Sequence, residues 1–95
     1  MNNRVYFDWN ATAPLKQEAK TAMIGVMNEL GNPSSIHAEG RAAKSVVEKA
    51  REQVSEVFGA GSSEIIFTSG ATEAAKLALN NHNVNCAALE HPYIL

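Results

Sequence analysis

The chain has 95 residues, of which 45% are hydrophobic, with a formal net charge of −2 and one cysteine. This length allows one small domain or part of one, and the balance of apolar and charged residues is typical of a soluble folded protein. The dispersed basic residues give no reason to expect that the protein binds nucleic acid. The lone cysteine excludes an internal disulfide framework. The lack of a signal core or a long apolar run predicts a cytoplasmic protein without a membrane segment.

The N-terminal part of the chain predicts a short extended run followed by a helix. Residues 5–7 are β-prone, and Asp8 after them favours a turn. Apolar residues then recur at spacings of three and four, which predicts a helix that starts at Pro14 or Leu15 and ends at Leu30. The apolar positions of this helix are Ala19, Ala22, Met23, Val26, Met27 and Leu30.

A loop and a longer helix come next. Residues 31–35 are predicted to form a loop, because Pro33 disfavours helix at the residue before it. The second helix is predicted over residues 38–58, and Gly59 is its expected C-cap because glycine readily adopts a left-handed conformation. Its apolar face consists of Ala43, Val46, Val47, Ala50, Val54, Val57 and Phe58.

The second half of the chain predicts strands that alternate with a helix. Residues 64–68 are a candidate buried strand, a helix is expected from Ala71 or Thr72 to about Asn80, and residues 84–89 read as another strand. This order implies a parallel, right-handed βαβ crossover, so the predicted fold class is α/β, a partial parallel sheet with helices. So small a sheet supplies little core, and we expect the chain to be a piece of something larger.

The junction between the strand at residues 64–68 and the next helix is the first candidate site. A helix start presents unpaired backbone N–H groups and the positive end of the helix dipole, which suits a phosphate. Gly70 allows close approach of a ligand, and Ser69 and Thr72 add hydroxyl donors. The alternative is ordinary capping by Ser69, with Thr72 and Glu73 in the first turn and no ligand. Neither a P-loop nor a dinucleotide fingerprint is present.

His91 is the second candidate. It follows the strand predicted at residues 84–89, and the carboxyl ends of parallel strands are where open α/β sheets bind ligands. A histidine at this edge could stack on a flat cofactor or move protons, or it could only cap a loop. The spacing of His82, Cys86 and His91 fits no common metal-ligand pattern, so no metal is predicted. Cys86 is predicted to be buried in the strand and is not a candidate nucleophile.

Four motifs occur in an order that is typical of one family. They read DWNAT at residues 8–12, GNPSSIH at 31–37, EIIFTSGATEA at 64–74 and EHP at 90–92. With these motifs the chain resembles the cysteine desulfurases of the NifS/IscS type, which are pyridoxal-phosphate transferases of the class V aminotransferase group with fold type I. The resemblance covers nearly the whole chain but only the N-terminal part of such an enzyme.

The resemblance implies roles for several residues at a cofactor site. Ala71 and Thr72, with Gly70 before them, match positions that hold the phosphate of pyridoxal 5′-phosphate at a helix start. His91 matches a catalytic histidine that stacks on the pyridine ring and takes part in proton transfer. Three residues match a loop on the substrate side of the site: Asn10, Ala11 and Thr12.

The resemblance also implies the activity, the partners and the architecture. The complete enzyme would be a homodimer that removes sulfur from L-cysteine and leaves alanine. The sulfur would form an enzyme persulfide, from which it passes to an acceptor protein for iron–sulfur cluster assembly or other sulfur transfer. Residues 1–14 would be an N-terminal segment near the active site, and residues 15–95 an incomplete N-terminal part of the large, cofactor-binding domain.

The family's Schiff-base lysine and sulfur-accepting cysteine have no counterpart in this sequence. Neither Lys76 nor Cys86 matches them, so the chain alone is expected to be inactive and to bind the cofactor weakly or not at all. Other class V enzymes remain open as alternatives, namely a selenocysteine lyase or a small-molecule aminotransferase. A non-catalytic module whose two long helices pair with a partner also remains open.

Overall fold

The computed structural model describes residues 3–80, 82–92 and 94. Three α-helices and a short 3₁₀ helix lie in this part of the chain. They are α1 (Gln17–Met27), α2 (Ala38–Phe58), the 3₁₀ helix Ser62–Glu64, and α3 (Ala71–Leu79). The chain divides into two compact units, Met1–Gln53 and Val54–Leu95.

α1 is shorter than the sequence predicts. The chain is still extended at Lys16, where φ is −66° and ψ is 145°, so the helix begins one turn after Pro14. At the other end, the N–H groups of Asn28 and Glu29 donate to carbonyls three residues back, at 3.3 and 3.0 Å. Such bonds tighten the last turn of a helix, and residues 28–30 are therefore outside the regular helix.

α2 has the bounds that the sequence predicts, and its C-terminus is a Schellman motif. Gly59 has φ of +64°, and its N–H donates to the carbonyl of Glu56 at 3.3 Å. The N–H of Ala60 donates to the carbonyl of Ser55 at 3.0 Å. These two bonds with a left-handed glycine end the helix, and the predicted role of Gly59 as its C-cap is confirmed.

The predicted strands are not formed in the described part of the chain. Residues 5–7, 65–68 and 84–87 carry no regular secondary structure there, and the 3₁₀ helix Ser62–Glu64 takes the start of the second predicted strand. Ile65 has extended dihedral angles, φ −93° and ψ 120°. A strand exists only when a neighbour accepts and donates its ladder bonds, and no such neighbour is present among these residues. The partial parallel sheet is therefore not shown.

Apolar side chains in the described residues are largely uncovered, as expected for so little sheet. No hydrophobic residue among them is buried, and Met27 and Leu30 are 79% and 86% exposed. In the first unit, the apolar faces of α1 and α2 line a groove of about 570 Å³. Its apolar lining includes Ala22, Val26, Leu30, Ala43, Val46 and Val47.

Candidate functional site

The start of α3 presents free hydrogen-bond donors. Its N-cap is Gly70, which is fully extended (φ 168°, ψ −176°). The carbonyl of Gly70 accepts the first helical bond, from the N–H of Ala74 at 3.1 Å. Within the part of the chain that is described, the N–H groups of Ala71, Thr72 and Glu73 have no acceptor, as is usual in a first turn. These donors lie at the positive end of the helix dipole.

Ser69 is tied to Glu73 and is not a free donor. The backbone N–H of Ser69 donates to Oε2 of Glu73 at 2.8 Å, and the Ser69 hydroxyl donates to the same oxygen at 2.6 Å. The sequence offered Ser69 either as an N-cap or as a donor to an anion. The N-cap is Gly70 instead, and the Ser69 hydroxyl donates to Glu73. The hydroxyl of Thr68 donates to the carbonyl of Gly70 at 3.1 Å, which adds another hydrogen bond within this turn.

The bond from the Ser69 hydroxyl is the main reason why the pKa of Glu73 lies below its ordinary value, and the bond from the Ser69 N–H lowers it further. Both bonds favour the charged carboxylate. Because the folded-state pKa is depressed, the stabilisation is present at neutral pH and is lost as the pH falls through that depressed pKa.

Titration of the Glu73 carboxyl carbon by NMR is expected to show this depressed pKa directly. Replacing Ser69 with alanine should raise the pKa toward the ordinary glutamate value, because it removes the larger of the two causes. A midpoint that does not move in Ser69→Ala would show that the hydroxyl bond does not form in solution.

The donors at the start of α3 fit a phosphate. The free N–H groups of Ala71 and Thr72 are adjacent, and Thr72 carries an exposed hydroxyl beside them. A Cβ built on Gly70 would have no atom within 4 Å, so the backbone there is open to a ligand. Neutral donors at a helix N-terminus are the usual protein partners of phosphate oxygens.

The predicted substrate-side loop is a compact turn in the first unit. The carbonyl of Asp8 accepts from the N–H groups of Ala11 and Thr12 at 3.1 and 3.3 Å. The Tyr6 hydroxyl lies 2.7 Å from the Asp8 carbonyl and 3.1 Å from the Thr12 carbonyl. Because a hydroxyl has one hydrogen, the shorter contact is its donor bond. Asn10, Ala11 and Thr12 are all exposed at this turn.

The GNPSSIH motif forms the loop before α2, and His37 is the N-cap of that helix. Nδ1 of His37 accepts from the backbone N–H of Gly40, three residues later, at 3.2 Å. The same Nδ1 lies 3.1 Å from Oε2 of Glu39. One nitrogen cannot accept from Gly40 and donate to Glu39 at once, so the bond from Gly40 requires that Nδ1 carries no hydrogen. The loop is also closed by a bond from the N–H of Ser34 to Oδ1 of Asn32 at 2.9 Å.

His37 is expected to stabilise the first turn of α2. Replacing it with alanine should cost about 1 kcal/mol, the usual loss when a capping side chain is removed, whereas asparagine is a favoured N-cap and should retain most of the stability. Hydrogen exchange at the amide of Gly40, whose partner is lost only in His37→Ala, measures the difference. Equal protection in both variants would contradict the capping role.

His91 lies in the same unit as the start of α3 and is exposed. Its carbonyl accepts from the N–H of Ile94 at 2.8 Å. The side-chain hydrogen bonds described at the start of α3 join Thr68 to Gly70 and Ser69 to Glu73. The turn at residues 8–12 belongs to the other unit.

In residues 3–80, 82–92 and 94, no group of three or more His, Cys, Asp or Glu side chains is placed to hold a metal ion. No helix in that part of the chain has the length and apolar character needed to cross a membrane.

Cys86, which the sequence placed inside a buried strand, is exposed. That prediction was wrong because residues 84–87 form no strand in the described part of the chain.

Sequence reasoning missed two arrangements at these loops. It assigned no role to His37, because histidine is not among the residues that usually cap helices. It also did not pair Ser69 with Glu73. The only sequence signal for this pair is the S-x-x-E capping box, and Ser69 and Glu73 are one residue further apart than that pattern requires.

Comparison with known proteins supplies the family of the chain. Residues 5–91 match the model of the family described as Aminotransferase class-V. The chain is 48% identical over 80 residues to cysteine desulfurase IscS of Dictyoglomus turgidum, covering 83% of this chain and 20% of that protein. A cysteine desulfurase of a Frankia species is 40% identical over 101 residues, covering 96% of this chain and 24% of that protein.

Selenocysteine lyases are also similar. The enzyme of Bos taurus is 40% identical over 92 residues, covering 90% of this chain and 21% of its own length. The chain thus spans only about a fifth to a quarter of these relatives. No solved structure matches it significantly.

Proposed function

This chain belongs to the class V aminotransferase family, and we propose that it is the N-terminal part of a cysteine desulfurase that uses pyridoxal 5′-phosphate. The observation that carries the proposal is the match to cysteine desulfurases over most of the chain, at 40–48% identity. The complete enzyme would take sulfur from L-cysteine, leave alanine, and pass the sulfur to an acceptor protein. The 95-residue chain alone is expected to be inactive.

The proposed role of the chain is to hold the cofactor. When bound, pyridoxal 5′-phosphate supplies the electron sink for the reaction. The backbone N–H groups of Ala71 and Thr72 and the Thr72 hydroxyl would donate to its phosphate, and Gly70 would leave room for the oxygens to approach. The support for this role is the set of free donors at the positive end of α3.

Two other parts of the chain would act on the ring and on the substrate. The imidazole of His91 would stack on the pyridine ring and hold or move a proton near the reacting atoms. The turn that contains Asn10, Ala11 and Thr12 would lie on the substrate side. Both assignments rest on the motifs EHP and DWNAT, which stand in family order at residues 90–92 and 8–12.

The finer architecture is also a proposal. In the complete protein, residues 64–68 and 84–89 would become parallel strands of a fold type I large domain that begins near residue 15. Residues 1–14 would be the segment before it. The extended backbone at Ile65 and the turn into α3 support this arrangement, because a parallel strand that leads into a helix needs both. We also propose a homodimer and a cytoplasmic location.

The activity test compares two substrates. The protein that carries this chain, loaded with cofactor, would be given L-cysteine or L-selenocysteine, and alanine would be measured. A cysteine desulfurase produces alanine from L-cysteine, with the sulfur retained as a persulfide that a reductant releases as sulfide. Alanine from L-selenocysteine alone would instead identify a selenocysteine lyase, the second candidate, which the similarity to the Bos taurus enzyme favours.

A further inference from the structure

We infer that Glu73 is a positioning residue of the phosphate site, because its carboxylate holds the segment at Ser69 and Gly70 so that the N–H groups of Ala71 and Thr72 stay open to the anion. The inference rests on the proposed function, since it concerns how the same site is arranged. Glu73 itself would not contact the cofactor.

The contacts of Glu73 show how it can act. A single oxygen, Oε2, accepts both the N–H and the hydroxyl of Ser69, at 2.8 and 2.6 Å. Bonds to a charged acceptor are stronger than neutral ones, and this pair closes a ring from residue 69 to residue 73. The Gly70 carbonyl is fixed by Ala74 and by the Thr68 hydroxyl, both at 3.1 Å. The peptide before Ala71 is thus held from both sides.

The negative charge of Glu73 would repel a phosphate bound at the start of α3. Its carboxylate lies in the first turn of α3, close to the donors that a phosphate would use. Like charges at that range repel each other, so a role in direct attraction of the anion is excluded. Positioning and repulsion therefore have opposite effects on affinity, and two substitutions separate them. Glu73→Gln removes the charge but keeps an oxygen acceptor, whereas Glu73→Ala removes the charge and the acceptor together.

The experiment uses the 95-residue chain, with inorganic phosphate as the probe and the amides of Gly70, Ala71 and Thr72 as the readout by NMR. We expect Glu73→Ala to bind phosphate about fivefold more weakly than Glu73→Gln, the factor that corresponds to about one net hydrogen bond. Glu73→Gln should bind at least as tightly as the wild type, because its repulsion is gone. Glu18→Gln, in the first turn of α1, controls for the change in net charge.

The outcomes separate this inference from the proposed function. Equal affinities of Glu73→Gln and Glu73→Ala would overturn the positioning role while the phosphate site stands. If phosphate leaves the amides unmoved in the wild type, the site itself fails, and the inference with it. If Glu73→Ala unfolds α3, the Ser69→Ala variant tests the positioning role instead, because it keeps the charge of Glu73. We expect that variant to bind phosphate about threefold more weakly, within the range of one weakened hydrogen bond. Unchanged affinity would overturn the role.

Discussion

Replacing Gly40 with alanine is expected to destabilise the loop and first turn of α2 by about 1 kcal/mol net, and by at most about 2 kcal/mol. Gly40 is buried, and an added Cβ would overlap the Ser35 carbonyl and lie 2.8 Å from the Asn32 carbonyl and 2.7 Å from Cβ of Ser35. Overpacking of this kind costs about 1–3 kcal/mol, and the ~1 kcal/mol that alanine gains over glycine in a helix offsets only part of a typical cost. Hydrogen exchange at the Arg41 amide, which donates to the His37 carbonyl, measures the loss.

Gly25 provides a matched control in α1. An added Cβ at Gly25 meets nothing within 4 Å, so only the helix propensity changes. Gly25→Ala should stabilise α1 by about 1 kcal/mol. The two glycine substitutions are thus predicted to have opposite signs. A stabilising Gly40→Ala would mean that the GNPSSIH loop does not pack on α2 as described.

Replacing Thr72 with valine is expected to weaken phosphate binding by about tenfold or more. Valine has the shape of threonine without its hydroxyl, and a hydrogen bond to a charged group is worth about 1.5–3 kcal/mol. Thr72→Ser keeps the hydroxyl and should bind close to the wild type. Because the side chain at position 72 is exposed, α3 should be retained in both the valine and the serine variant. The measurement is the dissociation constant for inorganic phosphate from amide shifts.

Equal affinity of the valine and serine variants would show that the hydroxyl does not reach the anion. In that case the backbone donors of Ala71 and Thr72 would carry the site alone, as at many helix N-termini. The comparison thus separates the side chain from the main chain as the source of phosphate affinity.

The helices could be predicted from the sequence because their signals are local. α2 combines a long apolar period with Gly59, whose left-handed conformation ends the helix, and its bounds were predicted correctly. α3 begins at Ala71 as expected after Gly70. α1 was predicted too long, because the apolar period continues to Leu30 while the backbone leaves the helix at Asn28.

The strands and the side-chain pairs depend on partners that local patterns do not specify. Residues 64–68 have the composition of a buried strand, but ladder bonds need a neighbouring strand. Ser69 carries donors that suit an anion, and only the geometry of the turn shows that Glu73 already accepts them. His37 has two competing partners on one nitrogen, a choice that the sequence does not reveal.

We propose that the start of α3 holds the phosphate of the cofactor. Pyridoxamine 5′-phosphate is the suitable probe, because it has the ring and phosphate but no aldehyde to react with Lys76. Pyridoxamine without the phosphate is its control. Affinity will be modest for this chain, so high ligand concentrations are needed.

The amides of residues 70–73 should then shift with pyridoxamine 5′-phosphate and with inorganic phosphate, but not with pyridoxamine. The ring protons of His91 should respond to pyridoxamine 5′-phosphate and not to inorganic phosphate. Amides at residues 70–73 that stay unmoved with both phosphate ligands, while α3 remains helical, would contradict the claim.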